Sequence, residues 1–295
     1  MFSLTKHLFQ LILIMLRGYN VIKAFNWERV FITIDVENIL EKVGIGSTNP
    51  FKVKASDGKI YVMKIRNDAC DGKTLLNELI AYRLAKLLDL PISNCCLINL
   101  KKEHIEGNIF NMAGINCMEG IGFASEYMQG STRINPKILE SVINAEDIPS
   151  IILFDQLILN TDRSENDGNL YYDRKSKKLM IIDHSHIFGG WSTWDAHQIK
   201  NLIKDPPTVI KNLAGKNYHF FIPYVSGHSP FNKITKKINH LDGEIDRLFD
   251  NIPIEWDISE EEIAVTRKFI SYQLENYVGI LQQLKDVFYL WKGAC

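Results

Sequence analysis

The sequence predicts an α+β protein, and three stretches carry that prediction. Between Val30 and Arg66 apolar residues recur with a period of two, which is typical of β-strands. The segment Thr74–Leu88 places leucines and isoleucines at helical spacing and ends shortly before a proline, as an amphipathic helix does. The runs Asn169–Asp173 and Leu179–Asp183 flank a short polar segment, which is the pattern of a β-hairpin.

The composition is that of a globular protein. The chain has 295 residues, of which 46% are hydrophobic and 23% charged, so it is long enough for two parts with a sizeable core. The formal net charge of −1 argues against a dedicated nucleic-acid binder, because there is no basic excess to neutralise phosphates. The 5 cysteines are odd in number and lack CxxC spacing, which favours neither a disulfide framework nor a structural zinc site. We expect a cytoplasmic protein.

The N-terminus carries an apolar run, Leu8–Leu16, that follows Lys6 and imitates a signal peptide. The run is too short to cross a bilayer, no A-x-A-like cleavage site follows, and Arg17 ends it. We therefore expect a helical leader over residues 1–29 and no transmembrane segment. A secretory signal and a membrane-surface helix are the alternatives.

The first predicted strands are joined by turns at Gly44–Pro50 and Ser56–Lys59. The first turn offers backbone amides and two hydroxyls, at Gly46, Ser47 and Thr48. No lysine follows it, so it is not a Walker A loop. It is a candidate glycine-rich cover for a phosphate, and an ordinary turn between strands is the alternative.

Lys64 lies in the third predicted strand, Ile60–Ile65, where alternation places it on the same face as Ile60 and Val62. A lysine between apolar neighbours needs a partner. The helix predicted over Thr74–Leu88 carries one acidic residue, Glu78. A snorkelling edge lysine and a solvated glutamate are the alternative interpretation.

The stretch from Ile151 to Phe188 organises the chain. Asp162 directly follows the apolar helical run Ser150–Leu159, on a loop that a packed helix supports. If the hairpin turn is symmetric about Ser176, Leu170 pairs with Ile182 and Asn169 with Asp183. Directly opposed residues have Cβ atoms about 4.5–5.5 Å apart, which suits two oxygen ligands of one Mg²⁺ ion.

An Asp on a loop, then an Asn, then an Asp on a following strand has a mechanical meaning in phosphoryl transfer. The first Asp orients the attacking hydroxyl, and the Asn and the second Asp hold magnesium. The pattern therefore predicts a catalytic Asp162 and the metal ligands Asn169 and Asp183. Taken singly, a loop salt bridge at Asp162-Arg163 and an Asn-Asp-Gly turn are the ordinary explanations.

These residues resemble the HipA-like kinases, relatives of the protein-kinase and phosphatidylinositol-kinase superfamily. The resemblance rests on the following segments: Gly46–Pro50, Val62–Lys64, Asn160–Arg163, Asn169-Leu170 and Ile182–His184. It implies a two-lobed protein-kinase-like fold, with a small, mostly antiparallel β-sheet lobe and a larger, mainly helical lobe. It also implies ATP-dependent phosphorylation with Mg²⁺.

The metal-binding asparagine is where this chain departs from the family. The better-known members place it five residues after the catalytic Asp, where this chain has Asp167. Asn166 and Asn169 are both candidates, and the hairpin register prefers Asn169.

The resemblance also implies a domain division and further site residues. Residues 30–128 form the small nucleotide-binding lobe and residues 129–295 the large catalytic lobe. Their connector, residues 123–128, holds the adenine edge through Glu126, Tyr127 and Met128. Lys64 grips the phosphates with Glu78 behind it.

The resemblance makes a serine or threonine of a protein the expected acceptor and ATP the expected nucleotide. A phosphatidylinositol-kinase-like lipid kinase and a nucleotide-binding pseudokinase without transfer activity are the alternatives. Autophosphorylation at Ser47 or Thr48 is a further hypothesis, because a phosphate there would crowd the nucleotide.

The remaining segments carry weaker signals. Asp183–His186 contains two histidines that suggest a transition-metal phosphohydrolase, but no HExxH completes them. A helix is expected within residues 191–204, and residues 212–233 form either a substrate-facing loop or an irregular cap. Ser259–Glu262 is a capping box that begins a long packing helix.

Overall fold

The N-terminal part of the fold is a five-stranded β-barrel. The computed structural model describes residues 33–44, 46–106, 114–165, 169–190, 193–210, 216–241 and 243–294. The barrel order is β1-β2-β3-β5-β4, and a long helix, α1, joins β3 to β4. These elements are β1 (Thr33–Lys42), β2 (Phe51–Ala55), β3 (Ile60–Lys64), α1 (Gly72–Leu87), β4 (Cys95–Leu100) and β5 (Gly120–Glu126).

The sequence predicted a mostly antiparallel sheet, and the structure closes that sheet into a barrel. All neighbouring strands are antiparallel except β1 and β4, which run parallel with Thr33 opposite Leu97. Two irregularities in β1, between Val36 and Asn38 and between Ile39 and Glu41, bend the strand. The bend lets β1 pair with β2 and β4 at once, so no free edge is left in the barrel.

The barrel interior takes one face of each strand, as the period of two predicts. In β3, Tyr61 and Met63 are buried in the barrel core, whereas Ile60 is exposed. Val62 and Lys64 lie on the other face and line a pocket. The predicted alternation along β3 is therefore confirmed, and it delivers the Lys64 side chain outside the barrel.

Helix α1 is buried on nearly all sides rather than along a single stripe. Its N-cap is Asp71, whose carboxylate accepts a hydrogen bond from Thr74 N at 2.8 Å. The helix packs in the largest hydrophobic cluster, together with residues of the C-terminal half. Gly72 is required at its first turn, because a Cβ there would lie 1.8 Å from Trp256 O. The helix is thus held between the barrel and the rest of the chain.

The rest of the chain is mainly helical. A short helix, α2 (Lys102–Ile105), lies between β4 and β5. After β5 the chain forms three further strands and the remaining helices. They are β6 (Gly130–Ser131), α3 (Pro136–Ser141), α4 (Ile148–Ile158), α5 (Asp162–Glu165), β7 (Leu170–Asp173), β8 (Lys178–Ile181), α6 (Ala196–Lys200), α7 (Lys216–Phe221), α8 (Asn232–Ile238), α9 (Glu260–Glu275) and α10 (Tyr277–Leu284). Five 3₁₀ turns occur among the described residues, at Ala145–Asp147, Ile222–Tyr224, Asp246–Phe249, Ile254–Trp256 and Lys285–Val287.

The β7–β8 hairpin exists, but its predicted register is wrong by one residue. Leu170 pairs with Ile181 and Asp173 with Lys178, so Asn169 lies opposite Ile182 and not Asp183. The cause is the turn, in which the Asp173 carboxylate accepts hydrogen bonds from Ser176 N at 2.9 Å and Ser176 Oγ at 2.5 Å. These bonds hold a four-residue turn.

Several predicted elements change in extent. In the described part of residues 191–204 the expected helix is α6, which begins with a capping box between Asp195 and Gln198. The capping box at Ser259 and Glu262 is present, but Asn276 divides the helix that follows into α9 and α10. Within residues 212–233 the described part packs into the core, since Tyr218, Phe221, Val225 and Phe231 are buried. It therefore forms a packed cap.

Two further predictions concern membranes and the N-terminus. Within the described ranges, no helix has both the length and the apolar character that a membrane crossing requires. The leader predicted over residues 1–29 lies outside the described residues.

Candidate active site

A deep pocket lies between the barrel and the β7–β8 hairpin, with a volume of about 740 Å³. That volume lies within the range of about 300–1,000 Å³ that is usual for sites binding small molecules and cofactors. The predicted site residues that line it are Gly46, Ser47, Lys64, Glu78, Glu126, Tyr127, Met128, Asp162, Asn169 and Asp183. Residues far apart in the sequence are thus brought to one cavity.

Lys64 lines the pocket together with Glu78 and Asp183, and we call these three charged residues its inner wall. The Lys64 side chain is buried, with 8% of the residue exposed, and its Nζ donates a hydrogen bond to Glu78 Oε1. It also donates to Asp183 Oδ1 at 2.8 Å and to Ser185 Oγ at 2.8 Å. The partnership between Lys64 and Glu78 that the sequence suggested is present, and Asp183 joins it.

The charges of this cluster stabilise one another. Burial alone would lower the pKa of Lys64, but the carboxylates of Asp183 and Glu78 outweigh it and raise the pKa above its usual range. Burial would raise the pKa of both acids, yet the attraction of Lys64 outweighs it and holds each pKa below the ordinary value. All three groups are therefore charged at neutral pH.

Asp183 lies two residues beyond the end of β8, whereas the sequence predicted that it would end the strand. Its backbone adopts the left-handed conformation, with φ of 54°, which aspartate tolerates better than most residues. This bend lets the carboxylate reach Lys64 across the pocket. A second correction concerns Asp162. The sequence predicted that it lies on a loop, whereas in the structure it is the first residue of helix α5.

Asp162 and Asn169 face the same pocket and contact each other. Asn169 Nδ2 donates to Asp162 Oδ2 at 2.8 Å. The carboxylate can only accept, so the amide nitrogen must be the atom that faces it. Asn169 Oδ1 is buried and has no hydrogen-bond partner in the described part of the chain. Asn166, the other candidate, lies outside the described residues.

Behind the pocket lies a buried network around Arg163. Its Nε donates to both carboxylate oxygens of Asp155, at 2.9 and 2.8 Å, and Tyr218 donates to the same carboxylate at 2.6 Å. Its Nη1 donates to the carbonyl oxygens of Asn169 and Ile182. One guanidinium therefore fixes the backbone just before β7 and just after β8, next to the site.

His184 belongs to this network rather than to a metal site. Its Nε2 lies 2.9 Å from Arg163 Nη2, which can only donate, so the ring accepts at Nε2. Burial, together with the charge of Arg163, lowers the pKa of His184, which favours the neutral ring. His186 lines the pocket, with Nδ1 3.9 Å from Asp162 Oδ2.

The transition-metal alternative gains no support from this arrangement. Across the described ranges, no group of three His, Cys, Asp or Glu side chains is arranged to hold a metal.

The loop and the connector lie at the pocket's outer wall. Gly46 has φ of 126°, a conformation that favours glycine, and Ser47 is exposed beside it. Thr48 is 2% exposed and does not line the pocket, so its predicted contact with a nucleotide is not supported. At the connector, Tyr127 N donates to Ile60 O at 2.9 Å, which ties residues 123–128 to β3.

Some contacts around the site were not predicted. Ser185 bonds directly to Lys64. Asn77 and Trp194 support Ser185 from behind, and Asp155 and Tyr218 hold Arg163. The stretch Asp183–His186 drew attention to its histidines, and the serine between them gave no signal of its own. Asn77 and Asp155 lie in apolar helical segments, where a polar residue is the available signal, since a buried polar group needs a partner. Trp194 and Tyr218 gave no such signal.

The fold is that of a kinase. The crystal structure of the proinflammatory kinase CtkA from Helicobacter pylori superimposes with a TM-score of 0.56 at 15% identity, covering 86% of this chain and 99% of that one. The HipA protein of Shewanella oneidensis MR-1, in complex with HipB and operator DNA, gives a TM-score of 0.39 at 11% identity, with 85% and 68% covered. The Golgi casein kinase with Mn/ADP bound gives 0.46 at 10%, with 88% and 76% covered.

The family follows from the sequence itself. A model of the HipA-like kinase family matches residues 36–205, which is more than half of the chain. The chain therefore belongs to the HipA-like kinases, as the resemblance predicted. No curated protein matches it in sequence.

Proposed function

We propose that the chain transfers the γ-phosphoryl group of Mg-ATP to a hydroxyl of a protein serine or threonine. The observation that carries the proposal is the meeting of two pairs in one pocket, Lys64 with Glu78 and Asp162 with Asn169. Asp183 lines the same pocket and bonds to Lys64. Positioning and charge stabilisation supply most of the catalysis in phosphoryl transfer, and these side chains are of the types that it uses.

The residues present fit a hard divalent cation. Asn169 Oδ1 is buried without a partner in the described ranges. All the hydrogen bonds that the described residues give to the Asp183 carboxylate go to Oδ1, which leaves Oδ2 for a ligand. Oxygens of this kind suit Mg²⁺. Asn169 and Asp183 would hold the ion, which would neutralise negative charge that develops on the transferred phosphoryl group.

The other side chains have separable tasks. Asp162 orients the acceptor hydroxyl and accepts its proton, since its carboxylate is 29% exposed and lines the pocket. Lys64 binds phosphate oxygens, and Glu78, buried behind it, holds the ammonium in place. The backbone around Glu126 and Met128 lies on the pocket wall where an adenine edge would bind.

We also propose a division of the chain into two lobes. Residues 30–128 form the small nucleotide-binding lobe and residues 129–295 the large catalytic lobe, with residues 123–128 as the hinge. The support is that the last barrel strand ends at Glu126 and the next strand, β6, pairs with the hairpin of the other part.

The test is a transfer assay with labelled ATP, magnesium and a panel of protein and phosphoinositide acceptors. Wild type should label a protein, and Asp162→Ala and Asp183→Ala should each lower the rate by about 10²-fold or more. The exposed Asp286→Ala is the matched control and should behave as wild type. If only the phosphoinositides are labelled, the acceptor is a lipid and not a protein. ATP binding without any label, on itself or on others, would make the protein a pseudokinase.

A further inference from the structure

Ser185 occupies a place in the site that the catalytic assignment leaves unexplained. It follows Asp183 by two residues and is 1% exposed. Its hydroxyl oxygen lies 2.7 Å from Asp183 Oδ1, 2.8 Å from Lys64 Nζ and 3.0 Å from Glu78 Oε1. A single neutral hydroxyl is therefore within hydrogen-bond distance of all three charged groups of the inner wall.

The Ser185 hydroxyl has one proton, and its neighbours determine which atom accepts the hydrogen bond from it. Lys64 can only donate, so it fills an acceptor position of Ser185 Oγ. The proton then goes to a carboxylate, and the shorter contact is the one to Asp183 Oδ1. Ser185 N lies 3.3 Å from the same oxygen and is a second donor to it. Backbone and side chain of Ser185 thus converge on one oxygen of Asp183.

This convergence sets the rotation of the Asp183 carboxylate. Lys64 Nζ and Ser185 bond to Oδ1, which turns this oxygen towards the protein. Oδ2 receives none of the hydrogen bonds from the described residues and is the oxygen available to the pocket. Without the hydroxyl, Asp183 would keep Lys64 as its strong donor, and Lys64 is also the residue required by the phosphates.

Ser185 is itself held from α1. Asn77 Nδ2 donates to Ser185 O at 2.7 Å, and Trp194 Nε1 donates to Asn77 Oδ1 at 2.9 Å. Asn77 is fully buried. The next residue of the helix, Glu78, accepts a hydrogen bond from His184 N at 3.1 Å. The backbone at residues 184 and 185 is therefore fixed to α1 at two points, which gives the hydroxyl a defined position.

We propose that Ser185 is a positioning residue that fixes the Asp183 carboxylate with Oδ2 towards the pocket, and thereby sets the affinity of the site for a divalent metal ion. The inference rests on the proposed function, because it takes Asp183 as a metal ligand. Groups that orient a metal ligand typically change metal affinity by about 10–100-fold when removed. The effect belongs to metal binding, not to nucleotide binding in general.

The experiment measures the dissociation constant of a non-hydrolysable ATP analogue by calorimetry, once in EDTA and once in saturating magnesium. The metal-dependent gain in affinity is the readout. Ser185→Ala should reduce this gain by about tenfold or more, while affinity in EDTA stays within about twofold of wild type. Ser185→Thr keeps the hydroxyl and should recover at least part of the gain. Ser150→Ala removes another buried hydroxyl, on α4, and should change neither constant.

The outcomes separate the inference from the proposed function. If wild type shows no metal-dependent gain, or if Asp183→Ala keeps the gain, the metal assignment itself fails. If wild type shows the gain and Ser185→Ala keeps it in full, Ser185 does not position Asp183. An equal loss in EDTA and in magnesium would also overturn the inference, since the hydroxyl would then shape the pocket as a whole. Should the alanine variant not fold, Ser185→Cys, with its weaker donor, must bind metal less well than Ser185→Thr.

Discussion

Replacing Asp155 with asparagine should lower the free energy of unfolding by about 3–5 kcal/mol, the usual cost of removing one partner from a buried ion pair. Asp155 and Arg163 are both 0% exposed, so water cannot solvate the charge that is left. Asparagine keeps the shape and can still accept from Tyr218. The loss therefore comes from the uncompensated guanidinium and not from a cavity.

Urea unfolding measures this loss. With a slope of about 3 kcal/mol per M, a loss of this size moves the midpoint by about 1–1.7 M. The matched control is Glu37→Gln, which removes the charge from an exposed pair with Lys54, whose side chains are 41% and 45% exposed. Exposed pairs contribute about 0–1 kcal/mol, so its midpoint should move by less than about 0.4 M.

The reasoning would be refuted if Asp155→Asn moved the midpoint no further than Glu37→Gln. Removing Arg163 as well should not restore stability, because Arg163 also bonds to the carbonyl oxygens of Asn169 and Ile182. Buried carbonyl groups without donors carry their own cost of about 1–3 kcal/mol. A double variant as stable as wild type would show that those backbone contacts contribute little.

Three further predictions concern stability and modification. Gly72→Ala should lower the thermal midpoint of unfolding by several degrees, because its Cβ would collide with the Trp256 backbone. Gly44→Ala is the control and should leave the midpoint unchanged, because the space around its Cβ is open. Equal midpoints for the two variants would contradict the close approach of Gly72 and Trp256. The pKa of Asp183 lies below its ordinary value of 3.8, so its stabilising contribution is complete above about pH 5 and is lost as pH falls below 4. The stability difference between wild type and Asp183→Asn should shrink accordingly in acid, and a difference independent of pH between 6 and about 2 would refute it. After incubation with ATP, mass spectrometry should find any phosphate of the loop on Ser47, which is exposed. A Ser47→Ala variant should carry no phosphate in the loop. Phosphate on the buried Thr48 would contradict this prediction.

The strand β3 and the faces of its side chains could be predicted, because local pattern determines them. A period of two places Lys64 outside the barrel core whatever the rest of the chain does. The capping box at Ser259 likewise depends only on residues three apart. Where a short-range rule decides the structure, the sequence was sufficient.

The hairpin register could not be predicted, because one hydrogen-bonding side chain decides it. The expectation of a symmetric loop about Ser176 placed Asn169 opposite Asp183. The Asp173 carboxylate instead caps the turn and shortens it by one residue. A one-residue slip exchanges the faces of a strand. Asn169 nevertheless reaches the pocket, because it lies just before β7, where Arg163 holds its carbonyl group.

The barrel closure and the network around Arg163 depend on contacts between distant parts of the chain. Tyr218 and Asp155 are 63 residues apart in the sequence, and nothing local relates them. Asp155 lies inside the apolar helix α4, where its carboxylate indicates that a buried partner exists but not which one. The sequence thus predicts the need for a partner, and only the fold supplies its identity.

Under the proposed function, the hydrogen bonds of Lys64 limit which protein contact is lost when a phosphate oxygen binds to it. Lys64 has three N–H donors, and all three are used within the protein, by Glu78, Asp183 and Ser185. A phosphate oxygen that binds Lys64 must therefore displace one of them. The Glu78 side chain is 5% exposed, and losing its partner would leave a buried charge uncompensated. The Asp183 side chain is 30% exposed, and under the proposed function a metal ion would compensate its charge in place of the ammonium. The exchange therefore falls on Asp183 or on the neutral Ser185 hydroxyl, while Glu78 keeps Lys64 in place.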